Sequence, residues 1–410
     1  MQITPVQALK RFSTWRGHFW VLAAVLLVQL WMTGVHFRQH AVDYSTYYRA
    51  GKWILEGRVA EVYQPELQGM GGFLYPIVAA YFFAPFAALG EWQGKALFYL
   101  LIWASLGLGV WFSLRICKEA TGRTPAPAQQ AFLAWGALLF NSRAINDVLL
   151  SANLNGVLFA LMAAVYLLRE ARPRASGILL GFCCSIKFFP LMGMGYFFWE
   201  RRWRALGWAA GSFAVLYAAP FFLSGWEQGL ELFSQHLRVL ADDRNYGSLH
   251  ASTFQNLPAF FARVFASLGV DLSPMAATLP VALLLMTPFF IGPFLDPSRM
   301  TVQVRARLFA VALYWIPLIN PASWFNMGLF YLPLAMLSLL EVNRRWFGLL
   351  GFFVFYTLTG RGLLGQEGYA RVAAWNLPFF GVMLLLFSQM GSQVLGNPGS
   401  ARRPGYQPRT

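Results

Sequence analysis

The feature that most constrains this chain is a succession of long apolar runs separated by short polar stretches. The runs lie at about 19–35, 73–89, 96–114, 131–150, 154–168, 176–198, 205–223, 276–295, 308–320, 326–340, 346–359 and 373–389. Many approach the roughly 20 residues that a helix needs to cross the hydrocarbon of a bilayer. Hydrophobic residues make up 57% of the chain and charged residues only 12%, about half the charged share of a soluble domain. The sequence therefore predicts an all-α, multi-pass membrane protein with about twelve transmembrane segments, in a range of about 10 to 13.

Basic residues predict the orientation of the chain. The net charge is +15, and the arginines cluster beside the apolar runs, as expected for cytoplasmic loops. No basic stretch is interleaved with aromatic residues in a soluble segment, so nucleic-acid binding is excluded. Both termini are predicted to be cytoplasmic, and two long loops, about 36–72 and 224–275, are predicted to be outside. We expect one transmembrane domain over 1–390 in the cell (inner or plasma) membrane, followed by a basic, disordered cytoplasmic tail at 391–410.

One apolar run is expected to be broken. Lys187 and Pro190 lie in the middle of 176–198, and basic residues flank both ends of that run. A helix broken at depth is tolerated only where it faces protein or a wet cavity. This pattern predicts a polar cavity. Lys187 is then either a functional cation inside the membrane or a side chain that reaches to an interface.

The first outer loop predicts a short interfacial helix that begins near Asp43. Tyr47, Gly51, Ile54 and Leu55 fall on one helical face, and a glycine at 57 is a natural stop. Two interpretations of the aspartate remain open. It is either the N-cap of the helix or a general base at the membrane surface.

A second carboxylate is the next candidate base. Asp147 stands four residues after Arg143 near the outer end of the run 131–150. This spacing is typical of an ion pair on one helix face, and Asp147 is also the second candidate catalytic residue.

The order of several short motifs carries a resemblance to a known family. They are Asp43, Tyr47 with Tyr48, Gly57, Tyr63, the stretch 73–76 ending in Tyr75 and Pro76, Pro85, Asn153 with Asn155, Gly177, Lys187, Pro190, 199–204, 255–258 beginning with Gln255, Arg263, and 320–324 ending in Trp324. In this order they resemble glycosyltransferase family 87, the polyprenyl-phosphate-mannose-dependent alpha-mannosyltransferases of the GT-C superfamily. The chain departs from the family pattern twice. Ala152 and Asn153 stand where the family usually has Gly-Gln, and 325–327, with Asn326 at its centre, stands where a histidine often follows.

The resemblance implies a GT-C-type bundle and an inverting glycosyltransferase. It would move a hexose, mannose by the resemblance, from a polyprenyl-phosphate sugar to an acceptor hydroxyl outside the cytoplasm. A glycolipid, a glycan or another hydroxyl compound remains open as acceptor. Asp43 would be the general base, because the attacking hydroxyl must lose a proton, and Lys187 would meet the leaving phosphate. The further substrate-binding candidates are Arg263, Tyr47, Tyr48, Tyr75, Asn155, Gln255, Trp324 and Asn326.

Two of these candidates keep a second interpretation. Arg263 either binds donor phosphate or anchors its helix to lipid headgroups. Trp324 either stacks on a sugar or belongs to an interfacial aromatic belt.

No cofactor or metal is expected. The acidic and histidine residues show no metal spacing, the chain has no Asp-x-Asp, and its three cysteines form no framework. Two alternative functions remain open: a transporter or flippase of lipid-linked sugars, which would be expected to show two similar halves, and a polysaccharide polymerase or ligase.

Overall fold

All elements in the described part of the chain are helical. The structure, a computed structural model, describes residues 41–64, 73–241, 254–270, 300–320 and 325–394, with isolated positions between 27 and 37. In chain order the α-helices are α1 (Val42–Leu55), α2 (Ile77–Ala88), α3 (Glu91–Thr121), α4 (Pro127–Phe140), α5 (Ser142–Ser151), α6 (Asn155–Leu168), α7 (Pro173–Ile186), α8 (Leu191–Trp199), α9 (Trp203–Leu223), α10 (Trp226–Ala241), α11 (Leu257–Ser267), α12 (Val302–Ile319), α13 (Leu332–Leu340), α14 (Val342–Phe352), α15 (Arg361–Ala374) and α16 (Leu377–Val394). Two 3-10 segments (Val59–Glu61 and Phe325–Tyr331) and a π-helical turn (Phe353–Thr357) connect them.

Three helices within these ranges are long and apolar enough to cross a membrane. They are α3, α9 and α12, and a fourth span results if the pair Leu363–Ala374 and Leu377–Gln389, bent by 62°, is counted as one. Further apolar helices, such as α2, α6 and α7, are shorter than 18 residues. The helical membrane class is thus confirmed. The count of twelve remains a prediction, since the runs at 19–35 and 276–295 lie largely or wholly outside the described residues.

Several predicted runs are pairs of shorter helices. The run 176–198 consists of α7 and α8 with a break at 187–190, as the sequence predicted. The run 131–150 consists of α4 and α5, which meet at Asn141. Lys187 itself has extended backbone angles, with φ −143° and ψ 148°. The break therefore exposes polar backbone and a cation in the interior of the bundle, where protein or water has to satisfy them.

Glycines let neighbouring helices approach closely. On α7, a Cβ at Gly177 would lie 2.6 Å from Trp208 Cβ and 3.0 Å from Ala209 N of α9, and one at Gly181 would lie 2.5 Å from the Ala209 carbonyl. Small residues at this spacing bring membrane helices into backbone contact. The α7–α9 pair thus fixes one wall of the bundle.

The two ends of α6 carry two different polar groups. The helix begins at Asn155, and directly after its last residue comes Arg169, only 2% exposed, which pairs with Glu200 at 3.4 Å. Arg202 and Arg305 also approach Glu200, at 3.4 and 3.8 Å. We call these four residues the arginine network. The 14 residues of α6 separate it from Asn155 by about 21 Å.

Candidate active site

Asp43 lies in the first turn of α1 but does not cap the helix. Ala41 occupies the N-cap, and Asp43 Oδ2 instead accepts a hydrogen bond of 2.7 Å from Asn153 Nδ2. The side chain is half-buried. A carboxylate at this end of a helix is favoured by the helix dipole. The predicted helix is present over Val42–Leu55, although Leu55, expected on its apolar face, is 54% exposed, and its position at the membrane surface stays a prediction.

Asn153 connects Asp43 to the break after α7. Its Oδ1 accepts hydrogen bonds from the backbone N–H of Asn155, at 2.8 Å, and from Lys187 Nζ, at 3.5 Å. The residue stands between α5 and α6, where Ala152 ends α5 in the left-handed region with φ 50°. One amide side chain thus bridges a carboxylate and an ammonium that lie far apart in sequence.

Lys187 reaches into the same polar group. Its Nζ donates to Asn155 Oδ1 at 2.9 Å, and Asn155 Nδ2 donates to Asn326 Oδ1 at 2.7 Å. Asn153, Asn155 and Asn326 are all buried. We call Asp43, Asn153, Lys187, Asn155 and Asn326 the central network. Buried polar groups of this kind have to be hydrogen-bonded, and this network satisfies them mutually.

Tyrosines form one wall beside the central network. The Lys187 ammonium lies 4.7 Å from the centroid of the Tyr75 ring, a distance at which the ring face attracts a cation. Tyr47 donates to the Tyr75 hydroxyl at 3.0 Å, and Tyr63 donates to the Tyr75 carbonyl at 2.8 Å. Burial raises the pKa of the Tyr47 phenol well above its usual value, so this hydroxyl is neutral. Tyr48 is half-buried and lies one helical turn from the ring of Tyr44.

A second wall comes from the polar face of α5. Arg143 Nη1 donates to the carbonyl of Tyr356 and the hydroxyl of Thr359, each at 2.9 Å. Its guanidinium carbon lies 3.4 Å from the centroid of the Phe325 ring, next to Asn326. Asp147 follows one turn later on this face and is half-buried.

The remaining donor-binding candidates lie in a second polar cluster, between α11 and the α15–α16 bend. Arg263 Nε donates to Asn376 Oδ1 at 2.9 Å, and Nη2 donates to the Phe254 carbonyl at 3.0 Å. Gln255 Nε2 donates to the Ala373 carbonyl at 3.2 Å. These contacts tie α11 to the bend, and the role of Arg263 and Gln255 in binding substrate stays a prediction. Trp324 lies outside the described residues.

The sequence did not single out Asn153 as a site residue, although it noted the residue within a motif. The available signal was the pair of asparagines two positions apart at the start of an apolar run. Asn in that setting bonds nearby backbone amides, as Asn153 does with Asn155. Its bond to Asp43 spans 110 positions, which no local pattern indicates.

The central network holds a proton acceptor and a cation in one hydrogen-bonded group. The Asp43 carboxylate can take a proton from an attacking group, and the Lys187 ammonium can neutralise a developing anion. Within the ranges that the structure describes, no three His, Cys, Asp or Glu side chains are grouped to hold a metal ion. A helical membrane protein in which a carboxylate and an ammonium are joined in this way has the groups that a transfer reaction at a membrane needs.

The family comparison makes this class specific. The model of glycosyltransferase family 87 matches residues 73–321, well over half of the chain. The chain belongs to glycosyltransferase family 87 and is a glycosyltransferase.

Two curated relatives match most of the chain. Both are named polyprenol-phosphate-mannose-dependent alpha-(1-2)-phosphatidylinositol mannoside mannosyltransferase. The protein from Mycolicibacterium smegmatis is 26% identical over 352 residues, covering 80% of this chain and 76% of the relative. The protein from Mycobacterium tuberculosis is 27% identical over 349 residues, covering 80% and 77%. No solved structure matches the chain.

Proposed function

We propose that this protein transfers mannose from a polyprenyl-phosphate sugar to a hydroxyl of a glycolipid acceptor, with inversion, on the extracytoplasmic side of the membrane. The observation that carries the proposal is the bridge made by Asn153, which accepts from Lys187 and donates to Asp43. Donor and acceptor class follow the names of the two relatives.

The chemistry requires one base and one cation. The acceptor oxygen attacks the anomeric carbon, its proton passes to the Asp43 carboxylate, and the bond from the anomeric carbon to the phosphate oxygen breaks. The electron pair leaves with the polyprenyl monophosphate, whose new negative charge the Lys187 ammonium stabilises. One carboxylate suffices for this direct displacement, and a single displacement inverts the anomeric centre.

The arginine network supports the extracytoplasmic side. It lies at the opposite end of α6 from Asn155. Clustered arginines favour the cytoplasmic side of a membrane. The central network then faces outside, where a lipid-linked sugar is used instead of a cytoplasmic nucleotide sugar.

The α5 face supports an acceptor that carries hydroxyl groups. Arg143 lies next to the central network, because its guanidinium stacks on Phe325, the chain neighbour of Asn326, and Asp147 follows one turn later on α5. Charged side chains beside aromatic rings are the groups with which proteins bind sugars, because they combine hydrogen bonds with a flat apolar surface. We therefore place the acceptor between α1 and α5.

Reconstitution in liposomes tests the proposal. Purified protein is given polyprenyl-phosphate mannose and a mannosylated glycolipid, and labelled product is measured together with movement of the donor between leaflets. Transfer to the acceptor with release of polyprenyl phosphate is the expected result. Movement of donor between leaflets without transfer would point to the flippase instead.

A further inference from the structure

His236 of α10 lies between the two segments that carry the central network and its wall. The residue is only 2% exposed. Its ring stacks against Tyr63, with centroids 5.4 Å apart and an interplanar angle of 22°, and against Phe188, at 5.6 Å and 28°. Its Nδ1 lies 3.3 Å from the hydroxyl of Tyr217 on α9. One imidazole is thus shared by α10, α9, the first loop and the α7–α8 break.

Both residues that stack on the His236 ring connect it to Lys187. Phe188 follows Lys187 in the chain. Tyr63 donates to the carbonyl of Tyr75, and the ring of Tyr75 faces the Lys187 ammonium. The His236 ring therefore lies between the segment that carries Lys187 and the segment that supports the Tyr75 ring.

α10 packs on α9 through few side chains, with Trp226 against Phe221 and Phe233 against Tyr217. Leu232 and His236 are its buried side chains, whereas Leu230 and Leu237 are 45% and 47% exposed. The helix packs against α9 and the 3-10 segment Val59–Glu61. His236 is the buried α10 side chain that stacks on both the first loop and the α7–α8 break, so docking of α10 onto these two segments depends on it.

We propose that His236 is a positioning residue that docks α10 onto Tyr63 and Phe188 and thereby holds Lys187 where the phosphate of a lipid-linked donor binds. This inference deepens the proposed function and rests on it for the identity of the ligand. His236 itself touches neither reacting group and acts through Phe188 and Tyr63.

Docking of α10 should depend on pH. Burial lowers the pKa of His236 from 6.5 to about 4. An undocked His236 regains its ordinary pKa, so acid favours the undocked state. Docking of α10 is strongest above about pH 6.5. Its equilibrium constant falls by up to tenfold for each pH unit between about 6.5 and 4.

The pH dependence of α10 docking comes from His236 and not from the other ionisable groups on the surrounding elements. They are the neutral phenols of Tyr63 and Tyr217, Lys187 beside Phe188, Glu61 paired with Arg58 next to the 3-10 segment, and on α10 itself Glu227 and Glu231, the latter paired with Arg238. Within the described residues none of these carboxylates pairs with His236, and the phenols titrate far above this range.

Two substitutions separate positioning from simple packing. His236→Phe keeps a stacking ring but cannot be protonated, whereas His236→Gln removes the ring. Arg238→Gln, on the exposed side of the same helix, is the control. We expect His236→Gln to raise the KM for polyprenyl-phosphate mannose about tenfold or more with a smaller change in kcat, and His236→Phe to retain the KM and to lose the rise in KM at acid pH. A wild-type KM in His236→Gln, or a KM that still rises at acid pH in His236→Phe, would overturn the inference.

Hydrogen–deuterium exchange supplies a readout that does not need transfer. In His236→Gln, exchange should accelerate in peptides covering 226–241 and 187–191, and it should remain at the wild-type rate in Arg238→Gln. Faster exchange confined to 226–241 would mean that α10 is docked by His236 but does not position Lys187. If the wild-type protein transfers no sugar, the proposed function fails, and exchange at 187–191 still decides whether His236 fixes that segment.

Discussion

The environment of Asp43 favours a chemical role over a structural one. Its Oδ2 accepts from a neutral amide, Asn153, and the N-cap of α1 is Ala41. The carboxylate is therefore oriented by a bond that leaves its charge available for a proton. Its half-buried position in the first turn of α1 keeps it accessible to a substrate.

Asp43→Asn should fold and bind donor but lose most transfer. A general base contributes about 100- to 10,000-fold to rate, and an amide cannot take the acceptor proton. The measurement is kcat for mannose transfer beside the Kd for polyprenyl phosphate. Asp147→Asn makes the same change at the second candidate carboxylate and should reduce turnover less than Asp43→Asn. Near-normal turnover in Asp43→Asn with a strong loss in Asp147→Asn would move the base to α5.

Lys187→Ala should weaken donor binding and slow transfer together. The ammonium meets Asn155 and the Tyr75 ring, so its removal deletes the cation for the leaving phosphate and leaves Asn155 Oδ1 without this donor. Lys187→Arg should keep part of the donor affinity, because it restores charge with a different geometry. Binding of polyprenyl phosphate and single-turnover rates measure the two effects. Intact affinity and turnover in a folded Lys187→Ala protein would mean that the lysine is not a phosphate ligand.

At the scale of elements, the α7–α9 contact determines how closely the wall behind Lys187 can pack. Gly177→Ala should destabilise the protein by about 1–3 kcal/mol through overpacking, since its new Cβ would lie within 3 Å of α9 backbone. Gly211→Ala on α9, where a Cβ meets nothing within 4 Å, should instead be neutral or stabilising by up to about 1 kcal/mol from helix propensity. Thermal unfolding in detergent compares the two. Equal midpoints would show that the helices separate easily.

The sequence predicted the elements better than their partners. The break at Lys187 and Pro190 was predictable, because a proline and a charge interrupt an apolar run. The second break, at Asn141, was not, because one buried asparagine leaves hydropathy almost unchanged. The sequence indicated each candidate separately, without showing that they contact one another: Asp43, Lys187, Asn155 and Asn326. The hydrogen bond between Asn155 and Asn326 joins residues 171 positions apart. It follows only from the packing of α6 against the 3-10 segment Phe325–Tyr331.

At the scale of the whole molecule, the two ends of α6 predict the topology. Ala60→Cys, in the first predicted outer loop, should react with an impermeant maleimide in intact cells, and Ala171→Cys, beside the arginine network, should react only after permeabilisation. Both positions are exposed, and the native cysteines 117, 183 and 184 are buried. The reverse pattern would place the candidate active site in the cytoplasm.

The burial of α6 has a consequence for the separation of its two polar ends. Ten of its 14 residues are buried, so neighbouring helices rather than lipid surround the roughly 21 Å between the central network and the arginine network. Apolar side chains such as Leu158, Phe159 and Met162 fill this distance. A polar sugar phosphate held at the central network therefore finds no hydrated path along α6 to the arginine network, and the fold insulates the two polar layers from each other.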